Sequence, residues 1–88
     1  MHSKNKKPMT AAESLHVALI KSMDCIVCDA PGPSDAHEPE QGFWFIAIPL
    51  CRACHMAPHG WHGTRDRWKL RKMTELKAIN LTLATVLA

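Results

Sequence analysis

Apolar residues at helical spacing near both ends of the chain, with an aromatic and β-branched segment between them, predict an α+β domain with flanking N- and C-terminal helices. The 88 residues suffice for one hydrophobic core. Because so short a chain buries a small share of its surface, we expect a crosslink to add stability. We predict a single domain over residues 10–88, preceded by a flexible basic arm over residues 1–9, which is polar and contains Pro8.

The first predicted element is a helix that begins after Thr10. Glu13 follows Thr10 at the spacing of a capping box, in which the hydroxyl and the carboxylate each accept a hydrogen bond from a backbone N–H. We expect the helix to end near residues 22–24 and His16 to be a packed or edge histidine. The predicted apolar face comprises Ala12, Leu15, Leu19, Ile20 and Met23.

The middle of the chain predicts a short antiparallel pair of strands. Residues 29–35 are rich in turn formers and are expected to form a loop. Residues 43–48 are aromatic and β-branched and follow Gly42, which makes them the best strand candidate. Residues 36–38 are the expected partner strand, with a turn over residues 39–42.

Three helices are predicted in the C-terminal half. A short one opens near Cys51 and is interrupted by Pro58 and Gly60, and Thr64 is a candidate N-cap for a second that runs through residue 72. Thr74 is the candidate N-cap of the last helix. The predicted apolar face of that helix comprises Leu76, Ile79, Leu83, Val86 and Leu87.

Two Cys-x-x-Cys pairs, separated by 22 residues, predict a structural zinc site. Each pair can supply two thiolates from a tight turn. Because residues 1–8 contain no apolar export segment, we expect a cytoplasmic location, where reduced thiols disfavour a disulfide. The competing interpretation is c-type haem attachment at residues 51–55, which leaves the first pair without a partner. The four predicted zinc ligands are Cys25, Cys28, Cys51 and Cys54.

The charge distribution favours a nucleic-acid partner. Residues 24–62 contain five acidic residues and one formally basic residue, Arg52, whereas both flanks are basic. The net charge of the whole chain is +3. A solvated basic face is the alternative. No apolar run approaches the roughly 18 residues of a membrane span, so we expect a soluble protein without membrane contact. The candidate DNA-binding residues are Arg65, Arg67, Lys69, Arg71 and Lys72.

Four histidines lie within 26 residues of one another and predict a second metal site: His37, His55, His59 and His62. Asp35 and Glu38 lie among them. The i, i+4 spacing of His55 and His59 would place both on one helical face. A divalent ion held between a hairpin and a short helix can stabilise charge on a phosphate while a nearby base activates water. Packing roles for some of these histidines are the alternative.

Several of these residues together resemble zinc-containing HNH nucleases. The motifs are Cys25-x-x-Cys28, Ala36-His37 and Ile48-Pro-Leu-Cys51-x-x-Cys54-His55. The continuation, Gly60-Trp61-His62-Gly63 and Trp68-x-x-Arg71-Lys72-Met73-Thr74-Glu75, is similar to the phage recombination enhancement function (Ref) proteins, which are RecA-dependent nucleases, and to their shorter phage relatives. The resemblance covers roughly residues 20–88.

The resemblance implies a ββα-metal (HNH) fold with a structural zinc and a separate catalytic ion, Mg²⁺ or Mn²⁺. His37 and His55 would face this ion, with His59 as a further candidate ligand and His62 as a further catalytic residue. HNH proteins commonly place an acid or histidine directly before the histidine base, whereas here Glu38 follows His37. We favour His37 as a ligand with Glu38 as the base; the alternative is His37 as the base, which leaves Ala36 in the preceding ligand position. The middle asparagine of the family is absent.

The sequence thus predicts a metal-dependent DNA endonuclease with DNA as its partner. The resemblance further implies that it is recombination-associated, carried by a phage or prophage, active in the host cytoplasm and able to act with a RecA-type filament. The alternative is a non-catalytic zinc module that binds DNA or a recombination protein through its basic flanks.

Overall fold

The structure is a computed structural model that describes residues 7–88, so most of the predicted basic arm lies outside the described residues. Helix α1 spans Ala11–Lys21. Its predicted capping box is confirmed: the Thr10 N–H donates to Glu13 Oε1 at 2.8 Å, and the Glu13 N–H donates to Thr10 Oγ1 at 3.1 Å. Two otherwise unpaired N–H groups are satisfied in this way, which explains where the helix begins.

The buried face of α1 differs from the predicted one. Val17 and Ile20 are buried, whereas Leu15 is 74% exposed and Met23 lies beyond the end of the helix. Ala12 and Leu19 of the predicted face are also exposed, because the helix packs against the sheet through the row that carries Val17 and Ile20. His16 packs against Phe45, with ring centroids 5.5 Å apart, as its expected packed or edge role requires.

Two short antiparallel strands follow. Strand β1 spans Asp35–His37 and pairs with strand β2, Ile48–Leu50, so that His37 lies opposite Ile48. The prediction of a strand over residues 43–48 is wrong, because Trp44–Ile46 form a 3₁₀ turn with the flanking Phe43 half-exposed. Residues 47–50 are fully buried and contain the strand instead. A short apolar run does not reveal by itself which half of it is buried.

Three helices complete the chain: α2 (Arg52–His55), α3 (Asp66–Leu70) and α4 (Glu75–Leu87). Thr74 is the N-cap of α4 as predicted, accepting from the Lys77 N–H at 3.1 Å. Thr64 is not the N-cap of α3. That position is held by Arg65 in a left-handed conformation, without a side-chain cap, and α3 ends at Leu70 rather than at residue 72.

The core lies between β2, the cysteine turns and α4. Helix α4 buries Ala78 and Thr82, whereas Leu76 and Leu87 of its predicted apolar face are 77% and 79% exposed. The main core cluster comprises Cys25, Val27, Ile48, Leu50, Cys54, Trp68 and Ala78.

Residues 7–88 therefore form a small α+β domain with a two-stranded sheet and four α-helices. The order β1–β2–α2 places a short helix directly after the strand pair. Within the described residues, no helix is long and apolar enough to cross a membrane.

Candidate metal centres

The four cysteines converge as the spacing predicts. Each Sγ atom lies within 4.8 Å of the others, and the Sγ atoms of Cys28 and Cys51 are 3.6 Å apart. Cys25 and Cys28 bracket a tight turn closed by the Asp29 N–H, which donates to the Cys25 carbonyl at 2.9 Å. All four thiols are free of disulfide bonds. The cluster can therefore hold a metal such as zinc. A metal site of this kind uses both cysteine pairs, whereas haem attachment at residues 51–55 would use only the second pair.

The surroundings of the thiols are unequal. Burial raises the pKa of the Cys54 thiol. Burial acts on Cys28 as well, but the Ala30 N–H and the neighbouring thiols donate hydrogen bonds to its sulfur and lower the pKa to about 7. A thiolate is thus accessible at neutral pH on the outer side of the cluster, which is the form that binds a metal ion.

Arg67 is turned toward this cluster. Its Nε–H donates to Cys54 Sγ at 3.3 Å, and hydrogen bonds to Cys54 and then to Cys28 raise the pKa of the guanidinium. Because four thiolates around one Zn²⁺ carry a net charge of −2, a half-buried guanidinium beside them compensates part of that charge. Among the basic residues predicted to bind DNA, Arg67 thus has a contact inside the protein.

Three of the histidines form a second cluster, hereafter the histidine cluster, which comprises His37, His55 and His62. One ring nitrogen of each lies within 4.8 Å of those of the other two. The ring centroids are 5.2 Å apart for His37 and His55, 5.5 Å for His37 and His62, and 5.0 Å for His55 and His62. His37 is buried, His55 is partly buried and His62 is exposed, so the cluster opens to solvent on one side.

Backbone packing after α2 places His62 in this cluster. The His62 N–H donates to the His55 carbonyl at 3.0 Å, and the preceding Trp61 N–H donates to the Cys54 carbonyl at 2.8 Å. Gly60 allows this return of the chain, because a Cβ there would lie 2.7 Å from the Ala53 carbonyl oxygen. The loop thus folds back onto the end of the helix that carries His55.

Two carboxylates orient the histidines. Asp35 Oδ2 accepts from His55 Nδ1 at 2.9 Å and from Arg52 at 3.1 Å, and Glu75 Oε2 accepts from His37 Nε2 at 2.8 Å. Because a carboxylate only accepts hydrogen bonds, each bonded ring nitrogen carries its hydrogen. Neutral His55 therefore has its lone pair on Nε2, and neutral His37 has its lone pair on Nδ1. Carboxylate–histidine pairs of this kind commonly support metal ligands.

The ionisation of the cluster follows from burial and from these contacts. Burial lowers the pKa of His37, despite the hydrogen bond to Glu75, and the nearby His55 and His62 lower it further. The hydrogen bond from His55 lowers the pKa of Asp35 despite its partial burial, with Arg52 adding to the effect. At neutral pH the cluster thus pairs a neutral buried imidazole with an ionised aspartate, a combination suited to a cation.

Two predicted site residues lie away from the histidine cluster. Helix α2 ends at His55, so His59 is not on its next turn. The exposed His59 instead bonds to Asp66 at 3.0 Å. Glu38 Oε2 accepts from the Gly42 N–H at 2.6 Å, within the turn that follows β1. Successive residues of a strand point to opposite faces, so Asp35 rather than Glu38 shares the face of His37.

Sequence analysis did not identify Glu75 as a site residue. It lies 38 residues from His37 and begins α4, where an acid is ordinarily explained by the helix dipole. Its occurrence in the family-like stretch of residues 68–75 was the only available signal.

Comparison of the chain with protein-family models, with curated proteins and with solved structures finds no match.

Proposed function

We propose that the chain is a metal-dependent DNA endonuclease of the HNH (ββα-metal) type. The observation that carries this proposal is the histidine cluster, which forms where β1, the end of α2 and the following loop meet and which opens to solvent. The order of two antiparallel strands followed by a helix is the one that a ββα-metal fold requires. The neighbouring cysteine cluster serves as the structural zinc site.

The donor set fits a divalent ion with some affinity for imidazole. His37 and His55 would hold it through the lone pairs that Glu75 and Asp35 leave available. Imidazole suits ions such as Ni²⁺ and Zn²⁺ best, and of the two ions that the resemblance implies only Mn²⁺ is a transition ion, so we favour Mn²⁺ over Mg²⁺. When bound, the ion supplies charge stabilisation for the phosphate and for the leaving 3′ oxygen.

His62 is the best candidate for the general base in this proposal. It is the solvent-exposed member of the cluster, so a water molecule can reach its ring. Its imidazole would take a proton from that water as the oxygen attacks phosphorus and the P–O3′ bond breaks. This replaces the assignment of Glu38, whose carboxylate is held by the turn at Gly42.

DNA and a RecA-type filament are the proposed partners, the second on the resemblance alone. The alternative function, a non-catalytic zinc module, is favoured by the hydrogen bonding of the histidine cluster. His37 and His55 already have carboxylate partners, so these hydrogen bonds account for the position of both rings without a metal ion.

A plasmid assay separates the two functions. The purified zinc-loaded chain is incubated with supercoiled DNA and Mg²⁺, Mn²⁺ or Ni²⁺, with a reaction lacking added ion as the control. We expect nicked circles with Mn²⁺ and none without added ion. Binding of the plasmid without nicking under any ion would favour the non-catalytic module.

Glu75 and Glu38 offer a matched pair of substitutions. We expect Glu75→Gln to lower nicking by about 10- to 100-fold, because loss of a carboxylate behind a metal-binding histidine commonly has an effect of this size. Glu38→Gln, a change of the same size in the turn after β1, is expected to alter the rate by no more than about threefold. Rates of plasmid nicking under saturating Mn²⁺ measure both. A larger loss from Glu38→Gln would return the catalytic role to that residue.

The exposed basic residues Lys69, Arg71 and Lys72 are the best candidates for phosphate contacts, because Arg67 is turned toward Cys54. Replacing all three by Gln should weaken duplex binding and reduce the slope of log K against log salt by up to about 3, since each lost phosphate contact releases roughly one counterion fewer. Anisotropy titrations at several salt concentrations measure the slope. The control, Lys21→Gln on the exposed side of α1, should change it less per charge removed. Equal effects per charge would mean that these residues make no defined contact.

A further inference from the structure

We propose that Arg65 and Trp61 form a stacking platform for an unpaired nucleobase beside the histidine cluster. The chain would then prefer single-stranded or locally opened DNA to intact duplex. The inference rests on the proposed function, because it specifies the form of DNA that the same site accepts.

The platform has a defined geometry. The guanidinium carbon of Arg65 lies 3.6 Å from the centroid of the Trp61 ring. Its Nε–H donates to the Trp61 carbonyl at 2.8 Å, so the planar group is held over the ring by a second contact. Arg65 is exposed whereas Trp61 is only partly so, which makes the guanidinium the outermost layer of the stack. Guanidinium planes and indole rings are both surfaces on which bases stack.

The platform is anchored in the core. The Trp61 ring packs against Trp68, with centroids 4.8 Å apart, and Trp68 is 1% exposed. The indole N–H of Trp68 donates to the Cys54 carbonyl at 2.8 Å. Stacking a base on a surface that is already rigid avoids the entropic cost of ordering side chains on binding.

The platform also adjoins the histidine cluster. Trp61 directly precedes His62, and its ring centroid lies 5.8 Å from that of His37. A base stacked on Arg65 would therefore lie next to the segment that carries His62. Base pairs inside an intact duplex present only their edges, so this contact requires an unpaired or extruded base.

The test compares two short oligonucleotides of equal length and charge, one of thymidine and one with abasic positions throughout. Binding is measured by fluorescence anisotropy with zinc-loaded protein and no added divalent ion. We expect the parent chain to bind the thymidine oligomer about tenfold more tightly, because stacking on an aromatic platform has an effect of this order per base. Equal affinities would overturn the proposal without any variant being needed.

Two substitutions assign the effect to Arg65. Arg65→Lys keeps the charge but not the planar group, and should lose most of the preference for thymidine while binding the abasic oligomer as the parent does. Arg65→Gly removes the whole side chain, and glycine readily adopts the left-handed backbone of this position, whose φ is 66°. This variant therefore tests the Arg65 side chain without straining the backbone. The control Lys69→Gln should weaken binding of both oligomers by the same factor. A preference that survives both Arg65 variants would overturn the proposal.

The outcomes also separate this inference from the proposed function. If the chain nicks plasmid DNA but does not distinguish thymidine from abasic oligomers, only the stacking platform is wrong. If it binds neither oligomer nor plasmid, the endonuclease and the platform are both wrong.

Discussion

Serine in place of Cys28 or of Cys51 is expected to leave the domain largely unfolded. A structural zinc in a closed thiolate site contributes roughly 10–16 kcal/mol in small peptides, which is comparable to or larger than the 5–15 kcal/mol by which whole domains are stable. The two clustered cysteine pairs hold the turn before β1 against the start of α2, and Cys25 and Cys54 are also part of the core. Far-UV circular dichroism and elemental analysis should show loss of structure and of zinc together.

Val27→Ala is the matched control for this prediction. Val27 lies between the first two ligands and is 3% exposed, but it offers no ligand atom. The substitution should lower the melting temperature through the cavity it creates, at a cost of at most a few kcal/mol, and should retain one zinc per chain. If the parent protein contained no zinc, or if the serine variants melted at the same temperature as the parent, zinc would not be what stabilises the fold.

Acidification should release the zinc and unfold the domain, because protons compete with the metal for the thiolates. The competition between protons and metal sets the sign, because burial raises the thiol pKa of Cys25 and Cys54, whereas only Cys28 has a lowered value, about 7 against an ordinary 9.0. A group with a lowered pKa stabilises the fold above its ordinary pKa, and this contribution is lost as the pH falls through the folded value.

His55→Ala is expected to reduce plasmid nicking at least about 100-fold while leaving the fold intact. The substitution removes the ring that Asp35 orients and that would hold the catalytic ion, so both charge stabilisation and positioning of the phosphate are lost. His55 lies outside the four-cysteine site, so zinc content should stay at one per chain. Rates of nicking with Mn²⁺, together with a thermal melt, test both parts of the prediction.

His59→Ala provides the comparison, because it removes the same type of side chain four residues away. His59 is exposed and bonds to the exposed Asp66, a contact that contributes little to stability. Nicking by this variant should stay within about twofold of the parent. If His59→Ala lost as much activity as His55→Ala, the ion would lie between the helices rather than in the histidine cluster.

The features that the sequence predicted correctly are those encoded within a few residues. The Thr10 and Glu13 capping box and the Thr74 N-cap satisfy N–H groups one turn away, so their chemistry is local. The two Cys-x-x-Cys pairs are similarly self-contained turns, and their convergence into one cluster was predicted from the four ligands that a zinc site requires. Three of the four histidines singled out by their density also meet in one cluster.

The features that the sequence did not predict depend on which surfaces meet. Residues 43–48 are apolar throughout, so their pattern does not distinguish the 3₁₀ turn at Trp44–Ile46, which lies against α1 and contains no buried residue, from the buried strand at Ile48–Leu50. Helix α4 fully buries Ala78 and Thr82, whereas Leu76 and Leu87 of the predicted apolar face are exposed, because the placement of the helix against β2 decides which of its rows is covered.

Membership of the histidine cluster was decided in the same way. Spacing predicted His59 beside His55, but α2 ends at His55 and the chain turns back at Gly60, where no side chain would fit against the Ala53 carbonyl. That turn brings His62 onto His55, while the distant start of α4 brings Glu75 onto His37. The sequence by itself determined which imidazoles and carboxylates are present. The packing of loops and helices decided which of them meet, because side chains separated by many residues are brought together only by the tertiary fold.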